Sequence, residues 1–312
     1  MIIREITTAD EKPLLKLWNI CLTADTLDSF NFYKRIICDI NFDPSFFLLA
    51  EKEGKIVGFA YGLKRRVADE FVGMQQEQSW LSAMGVHPDF RRMGIGRALL
   101  SEVESRLLKK GAKNIDLGTN PQNYFFPGVD QQAYGPAIDF FKACGYTEKS
   151  ECVSMDMSLR DYTPSEKHKE KRAALEEQGY SFGFYQPKDT IGIFNLLRTH
   201  FPHWLDNVRD SILAGRAEKS VVIARNEKSE VVGFAMRGMD GTEERFGPFG
   251  VSPDLQVGGI GGVMYHELIQ SMIAQRIFYT YFLWTAGRNV DIYGSWGMKI
   301  YRKYSMMGRK FE

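Results

Sequence analysis

Two glycine-rich loops, one in each half of the 312-residue chain, constrain its fold more than any other feature. The loops read Arg91-Arg92-Met93-Gly94-Ile95-Gly96 and Gln256-Val257-Gly258-Gly259-Ile260-Gly261. Each follows a short apolar segment ending in Val-x-Pro-Asp, precedes an amphipathic helix pattern, and is offset from its counterpart by 165 residues, from Gly94 to Gly259. A strand, a loop of small residues and a helix start leave several backbone N–H groups aimed at one point. This pattern predicts a cradle for phosphate groups.

Other elements recur in the same order in the two halves. The apolar strand pattern at 56–60 (Ile-Val-Gly-Phe-Ala) returns at 231–235 as Val-Val-Gly-Phe-Ala. A glycine that follows a helix pattern near the end of each half, Gly145 in the first and Gly297 in the second, also recurs. The repeat predicts an α+β fold made of two tandem domains, each with a mixed central β-sheet flanked by helices.

The boundary between the domains is predicted in a charged segment. Residues 161–179 contain Pro164, Ser165 and a Lys/Glu-rich run, which is typical of a capped, solvated connector helix. The sequence therefore predicts an N-terminal domain over residues 1–160, a connector over 161–180 and a C-terminal domain over 181–312.

Composition excludes several classes of function. The net charge of +1 argues against a nucleic-acid footprint, which would need a basic excess. The four cysteines have neither paired nor metal-type spacing, and His200 and His203 lack a third ligand, so no metal site is expected. Without a signal-peptide pattern or an 18-residue apolar run, a cytoplasmic protein with no membrane contact is expected.

The loops resemble motif A of the GNAT N-acetyltransferases, in which (Arg/Gln)-x-x-Gly-x-Gly follows Val-x-Pro. A Walker loop would need Lys-Ser/Thr after its last glycine, and a dinucleotide fingerprint has another spacing. The whole chain is similar to tandem members of this superfamily, which include mycothiol synthases and two-domain bacterial glucosamine/glucosaminide N-acetyltransferases. The resemblance implies an acyltransferase that uses acetyl-CoA and acts on a primary amine.

In this superfamily the loops and the ends of the preceding strands hold acetyl-CoA. The corresponding residues in the second half are Phe249, Gly250, Val251, Gln256, Val257, Gly258, Gly259, Ile260, Gly261 and Gly262. In the first half they are Met84, Val86, Arg91, Arg92, Met93, Gly94, Ile95, Gly96 and Arg97. The glycine before each valine, Gly85 or Gly250, either permits a bulge that frees a backbone N–H or is kept for packing.

The expected general acid is a tyrosine on the helix that follows the next strand. The superfamily pattern Phe-Tyr-x-x-x-Gly-Phe places Tyr293 at this position in the second half. The first half has Phe141 there, which has no proton to give, so the C-terminal half is predicted to catalyse. Tyr301, on the following strand, is a second candidate for the acid.

The general base has several candidates. Asp291 lies at the start of the helix that carries the predicted acid, where it could accept the amine proton, bind the substrate ammonium or cap the helix. Glu243 and Glu244, before the central strand, are alternatives, and they could equally be solvated loop charges.

Aromatic residues suggest the acceptor surface. Tyr124, Phe126, Trp204 and Trp284 could offer apolar ring faces to a sugar, or they could be ordinary core residues. The consecutive aromatics Tyr124-Phe125-Phe126 are expected to pack on the other domain or on a ligand.

The predicted reaction is acetyl transfer to a small-molecule amine by direct attack on the thioester. The favoured acceptor is the 2-amino group of glucosamine or a glucosaminide. The alternatives are a mycothiol-synthase-like or other small-amine acetyltransferase, or a CoA-binding regulatory module with one inactive half.

Overall fold

The computed structural model describes residues 1–119, 121, 125–255 and 258–312. They form two compact units: unit 1 contains residues 1–153 and 302–312, and unit 2 contains residues 154–301. The strands fall into two sheets, which confirms the predicted α+β class. The predicted domain boundaries follow the repeat and stay a prediction. Within the described ranges, no helix is both long and apolar enough to cross a membrane.

Unit 1 is a mixed sheet with helices on both faces. Its strands are β1 (Ile2–Glu5), β2 (Phe47–Lys52), β3 (Lys55–Lys64), β4 (Gln78–Val86), β5 (Asn114–Leu117), β6 (Val129–Asp130) and the first part of β7 (Thr147–Ser158). Its helices are α1 (Glu11–Cys21), α2 (Ser29–Phe32), α3 (Ile95–Lys109) and α4 (Gly135–Ala143). Alternation along β3 sends Ala60 into the core under α3, whereas Phe59 and Tyr61 face the core under α1. Val57 also packs on the α3 side, because the register with β2 shifts by one residue between Ile56 and Gly58.

Unit 2 repeats this order after a connector helix. Its helices are α5 (Glu166–Glu177), α6 (Thr190–His200), α7 (Leu205–Leu213), α8 (Ala217–Ser220), α9 (Ile260–Ala274) and α10 (Arg288–Ser295). Its strands are β8 (Ser181–Phe184), β9 (Val221–Arg225), β10 (Val231–Arg237), β11 (Phe246–Val251) and β12 (Tyr279–Thr285). The connector helix begins after Ser165, as its sequence predicts.

The last strand of the chain, β13 (Lys299–Lys310), completes the sheet of unit 1 from Arg302 onward. It pairs antiparallel with β5, where Gly308 faces Asp116, and with β6, where Tyr304 faces Asp130. Because pairing between distant strands leaves no local sequence signal, the repeat did not predict this return.

A buried ion cluster fixes the point at which β13 enters unit 1. The two terminal nitrogens of Arg302 donate to both carboxylate oxygens of Asp25, at 2.6 and 2.7 Å, and its Nε donates to Asp130 at 2.5 Å. The hydroxyl of Tyr134 donates to Asp25 at 2.7 Å. The side chain of Asp130 is only 3% exposed, so its charge depends on Arg302 for compensation.

Replacing Arg302 by Met should lower the free energy of unfolding by about 3–5 kcal/mol, because two buried carboxylates would lose their counter-charge. Urea titration followed by circular dichroism measures this loss. Lys113→Met is the control, since Lys113 pairs with Glu77 and both side chains are more than half exposed (57% and 59%). It should cost less than about 1 kcal/mol. Equal losses in the two variants would contradict the importance of the buried cluster.

Candidate active site

A gap opens beside the central strand of each unit, at the same position of the repeat. In unit 1, β4 and β5 run parallel and are paired only from Gln78 to Leu81, beyond which they diverge. In unit 2 the corresponding contact is an isolated parallel bridge between Arg245, the residue before β11, and Tyr281 of β12. Arg245 is the repeat counterpart of Trp80, which lies within the paired stretch of β4. The two gaps are therefore equivalent.

Backbone N–H groups of the central strands point into these gaps. In unit 2 the N–H of Ser252 donates to Val232 of β10 at 2.8 Å. Because N–H groups alternate along a strand, those of Val251 and Phe249 face the opposite edge, toward the gap. The same alternation directs the N–H groups of Val86 and Met84 into the gap of unit 1, since His87 donates to β3. These four were predicted as cofactor-binding residues.

Each central strand carries one extra residue where the gap opens. In β4 it is Ser82, and in β11 it falls within the Gly247-Pro248 pair. A bulge of this kind bends the strand and interrupts the ladder, which lets the neighbouring strand diverge. The bulge predicted at Gly85 and Gly250 therefore lies three residues nearer the start of each strand.

The two glycines instead permit close packing, which was the alternative interpretation. Both stay in register with the neighbouring strand, opposite Phe59 and Phe234. A Cβ atom at Gly85 would lie 2.7 Å from the Cβ of Cys21. At Gly250 it would lie 2.8–3.0 Å from the ring of Phe201. Only glycine fits beneath these side chains.

Both glycine loops begin helices as the sequence predicts. Gly94 and Gly259 are the N-caps of α3 and α9, with φ angles of 81° and 100°. The first intrahelical bonds run from Ala98 to Gly94 and from Val263 to Gly259, so the N–H groups between them have no intrahelical acceptor. A Cβ atom at Gly94 or Gly258 would meet no atom within 4 Å. Open space beside unpaired N–H groups fits phosphate groups.

The first loop is basic, whereas the second is not. Arg91 and Arg92 are exposed, Arg92 has a left-handed φ of 63°, and Arg91 Nε donates to the carbonyl of Val86 at 3.0 Å. Their counterparts in sequence, Gln256 and Val257, are uncharged residues, and they lie outside the described residues. Any cation at the second loop must therefore come from another element.

Aromatic rings cover the start of both helices. A Cβ atom at Gly261 would lie 2.9 Å from the ring of Phe249, and one at Gly262 would lie 3.7 Å from that of Trp296. In unit 1, a Cβ atom at Gly96 would lie 3.5 Å from the ring of Phe140. Among the other predicted loop residues, the buried ones are Ile95 and Ile260 and the exposed ones are Met93 and Arg97.

Tyr293 lies in an aromatic cluster beside the gap of unit 2. Its ring centroid is 4.7 Å from that of Phe282, 5.5 Å from Trp296, 5.9 Å from Phe246 and 6.3 Å from Phe249. Burial raises the pKa of the Tyr293 hydroxyl well above its ordinary value, so the hydroxyl remains protonated at neutral pH. None of the described residues hydrogen-bonds to it. Among the described residues it is therefore a proton donor that is available to a ligand.

The equivalent position in unit 1 carries no proton donor. Phe141 is buried and packs against Phe140 and Tyr146, with ring centroids 5.2 and 5.5 Å apart. The hydroxyl of Tyr146 is engaged with Glu104 at 2.9 Å. The two gaps therefore differ chemically although their backbones correspond.

The other predicted catalytic residues lie on different faces. Asp291 is exposed in the first turn of α10, and Gly287 takes the N-cap position in its place. Because residues two apart on a helix do not share a face, Asp291 and Tyr293 point in different directions. Tyr301 is 37% exposed on β13 and lies near Tyr279.

The alternative bases, Glu243 and Glu244, lie just before the start of β11. Glu243 is exposed, and Glu244 is half-buried. The backbone carbonyl of Glu244 accepts from the N–H of Tyr281 at 3.2 Å and from the hydroxyl of Thr280 at 3.1 Å. This carbonyl therefore helps to hold β11 and β12 together just before the gap.

The predicted acceptor residues have different surroundings. Trp284 is 48% exposed at the end of β12. Trp204 is half-buried, with one face stacked on Phe201 at 5.4 Å. Phe126 is half-buried and packs on the core under α1. Tyr124 lies outside the described residues.

The aromatic insertion of the first half was expected to pack on the other domain or on a ligand. Phe125 is instead buried in the core of unit 1, where its ring is 5.3 Å from that of Trp18 and carries the guanidinium of Arg35. This expectation was wrong for Phe125, because contacts between residues far apart in sequence leave no local pattern.

Helix α5 docks on α9 through a pair of histidines. The ring centroids of His168 and His266 are 3.7 Å apart, and the hydroxyl of Tyr162 hydrogen-bonds to Nδ1 of His266. Arg172 forms an ion pair with Glu267 one residue further along α9. These contacts hold α5 beside the second loop, which sequence reasoning did not foresee.

Comparison with known proteins identifies the family. The sequence profile described as "Acetyltransferase (GNAT) family" matches residues 9–126, within unit 1. A protein of Pectobacterium atrosepticum named as an acetyltransferase is 34% identical over 140 residues, which is 45% of this chain and 90% of that protein. A similarly named protein of Yersinia enterocolitica is 32% identical over 124 residues, or 39% of this chain and 79% of its own length. The chain belongs to the GNAT acetyltransferase family.

Solved structures of the family cover the whole chain. The glucosamine N-acetyltransferase region of a fungal multi-domain beta-N-acetylglucosaminidase matches with a TM-score of 0.83 at 19% identity, over 98% of this chain and 38% of the fungal one. A GNAT acetyltransferase from Sphaerobacter thermophilus gives 0.73 at 16% identity, over 99% of this chain and 95% of its own. A tandem GNAT protein from the clavulanic acid biosynthesis pathway matches with a TM-score of 0.67 at 13% identity, over 99% of this chain and 98% of that protein. The tandem fold is confirmed.

The histidine pair should make stability fall in mildly acidic solution. Burial, and then the neighbouring His168, lower the pKa of His266 from 6.5 to about 4. The stability that neutral His266 contributes is therefore fully present above pH 6.5 and is lost as the pH falls toward 4. In this range the imidazole of His266 binds a proton in the unfolded chain but stays neutral in the folded chain. Thermal melts across this range should show a shallower decline for His266→Gln than for the wild type.

The exposed His203 provides a control. His203→Gln should decline in parallel with the wild type. If the melting temperature of His266→Gln also falls in parallel, then His266 does not contribute to the pH dependence.

Proposed function

We propose that this acetyltransferase moves the acetyl group of acetyl-CoA to the 2-amino group of glucosamine or a glucosaminide, and that unit 2 catalyses. The observation that carries the assignment is the Tyr293 hydroxyl beside the gap, where unit 1 has Phe141. Departure of a thiolate is assisted by a proton donor. A half-buried, protonated hydroxyl that no described residue engages suits that role, and a phenyl ring does not.

The residues around the gap have separate tasks. Acetyl-CoA supplies the acetyl group as a thioester. The N–H groups of Phe249 and Val251 point into the gap, where they can donate to an oxygen on which negative charge develops. Tyr293 donates its proton toward the leaving sulfur, and Tyr301 is the second candidate for this task.

Asp291 serves the acceptor in this proposal. Its exposed carboxylate can bind the ammonium of the amine and take its proton before attack. Because Asp291 and Tyr293 lie on different faces of α10, they act on different groups, one on the acceptor and the other on the leaving group.

The amino-sugar acceptor rests on two further observations. Trp284 is 48% exposed at the end of β12, three residues before the N-cap of α10, and an indole face suits the C–H surface of a sugar ring. The fungal region with the TM-score of 0.83 is named as a glucosamine N-acetyltransferase. Other small amines, including the acceptor of a mycothiol-synthase-like reaction, remain candidates for the assay.

Replacement by phenylalanine tests whether Tyr293 or Tyr301 is the general acid. Tyr293→Phe should lower kcat by roughly ten- to ten-thousand-fold, the range of a lost general acid, while the Kd for CoA is unchanged. Thiol release from acetyl-CoA measures kcat, and calorimetry measures binding. Tyr279→Phe is the control, since Tyr279 hydrogen-bonds to Asp156 and is not assigned to catalysis. If Tyr293→Phe is fully active and Tyr301→Phe is not, the acid is Tyr301.

An acceptor panel tests the substrate class. Glucosamine and chitosan oligomers should turn over faster than polyamines, aminoglycosides, cysteinyl-glucosamine-inositol or peptide N-termini. Asp291→Asn should cut kcat/KM for the amino sugar and spare the affinity for CoA, because the carboxylate serves the acceptor. Faster turnover of a polyamine or peptide would reject the amino sugar and leave the acetyltransferase intact.

A further inference from the structure

The second glycine loop has lost the cations of the first. The positions of Arg91, Arg92 and Arg97 are taken by Gln256, Val257 and Gly262 in the repeat. A phosphate group bound at the second loop would meet backbone N–H groups and the positive end of α9, but no charged side chain of that loop.

Lys171 of α5 lies across the N-cap of α9. Its Cγ and Cδ atoms are 3.0 and 3.2 Å from the position that a Cβ atom at Gly259 would take, and its Cε is closer still. The ammonium is one bond beyond Cε. Gly259 has a φ of 100°, so both its backbone and the lysine stem above it require glycine.

Lys171 is exposed, and its stem places the ammonium near the N-terminus of α9. A cation there opposes the helix dipole, whereas an anion bound between the two would be attracted to both. Within the described parts of the chain, Lys171 forms no ion pair, whereas its neighbours do: Lys169 pairs with Glu166, and Arg172 with Glu267. The packing of α5 on α9 therefore places an exposed ammonium, with no carboxylate partner among the described residues, beside the unpaired N–H groups.

The acid that precedes the second loop, Asp254, lies beside a histidine rather than beside Lys171. Asp254, the last residue of the Val-x-Pro-Asp segment, lies 3.2 Å from Nε2 of His200. Its carboxylate is 79% exposed and is not paired with Lys171. This carboxylate therefore does not supply the counter-charge of Lys171.

We propose that Lys171 is the phosphate-binding cation of the second loop and contacts the pyrophosphate of CoA, in place of the arginines of the first loop. This inference rests on the proposed function, in which unit 2 binds acetyl-CoA. It assigns part of the cofactor site of unit 2 to the connector helix, which lies outside the repeated motif.

Calorimetry on the full chain tests the assignment. Lys171→Met keeps the aliphatic stem over Gly259 and removes the charge, so it should weaken one CoA site by about tenfold, or ~1.4 kcal/mol. Lys171→Arg should retain most of the affinity. Lys169→Met removes one charge from the other side of the same helix and should leave both sites unchanged.

Shortened ligands identify the group that is contacted. The loss in Lys171→Met should persist with dephospho-CoA, which keeps the pyrophosphate, and should vanish with S-acetylpantetheine, which has no phosphate. A loss that vanishes with dephospho-CoA would overturn the pyrophosphate assignment in favour of the 3′-phosphate.

Two further outcomes overturn the proposal and are distinguishable. If two CoA sites are present and Lys171→Met leaves both unchanged or tightens one, the role of Lys171 is wrong and the proposed function stands. If one site is present, and Arg92→Met weakens it while Lys171→Met does not, then unit 2 does not bind CoA. In that case both the proposed function and the role of Lys171 fail.

Discussion

The divergence of two parallel strands is the constraint on which the rest of this structure depends. Where β11 leaves β12, the N–H groups of Phe249 and Val251 lose the partners that a continuous sheet would give them. A backbone N–H that is buried without a partner costs about 1–3 kcal/mol, so the gap favours any ligand that offers a hydrogen-bond acceptor. The bulge before the gap and the glycine loop after it keep the opening in place.

Local signals predicted much of the fold and the phosphate-binding loops. Gly94 and Gly259 adopt left-handed conformations at helix starts because their neighbours on both sides form a strand and an amphipathic helix. The connector helix follows Ser165, where the Lys/Glu-rich run begins, although the Ser165 side chain makes no capping hydrogen bond. These features depend on short stretches of sequence, which is why the repeat was sufficient to find them.

The remaining features depend on contacts between distant parts of the chain. The packing role of Gly250 depends on Phe201, and the burial of Phe125 depends on Trp18. The place of Lys171 depends on how α5 docks on α9. No local pattern encodes such contacts, so sequence reasoning offered alternatives for the glycine, placed the aromatic insertion wrongly and did not consider the lysine.

The two copies of the repeat carry different parts of the expected site. Unit 1 retains the basic loop and the match to the family profile, whereas unit 2 retains the tyrosine beside the gap. In unit 1 the aromatic at this position serves the core alone. Each copy therefore lacks one feature that the other carries.

The return of β13 to unit 1 has a consequence for synthesis of the chain. Unit 1 contains residues 1–153 and 302–312, so its sheet lacks a strand until the ribosome has passed all of unit 2. Domains of most proteins fold in the order in which they leave the ribosome. Here unit 1 is begun before unit 2 and completed after it, and Asp25 and Asp130 lack their counter-charge until Arg302 has been synthesised. A nascent chain therefore needs β13 before either the sheet or the ion cluster of unit 1 can close.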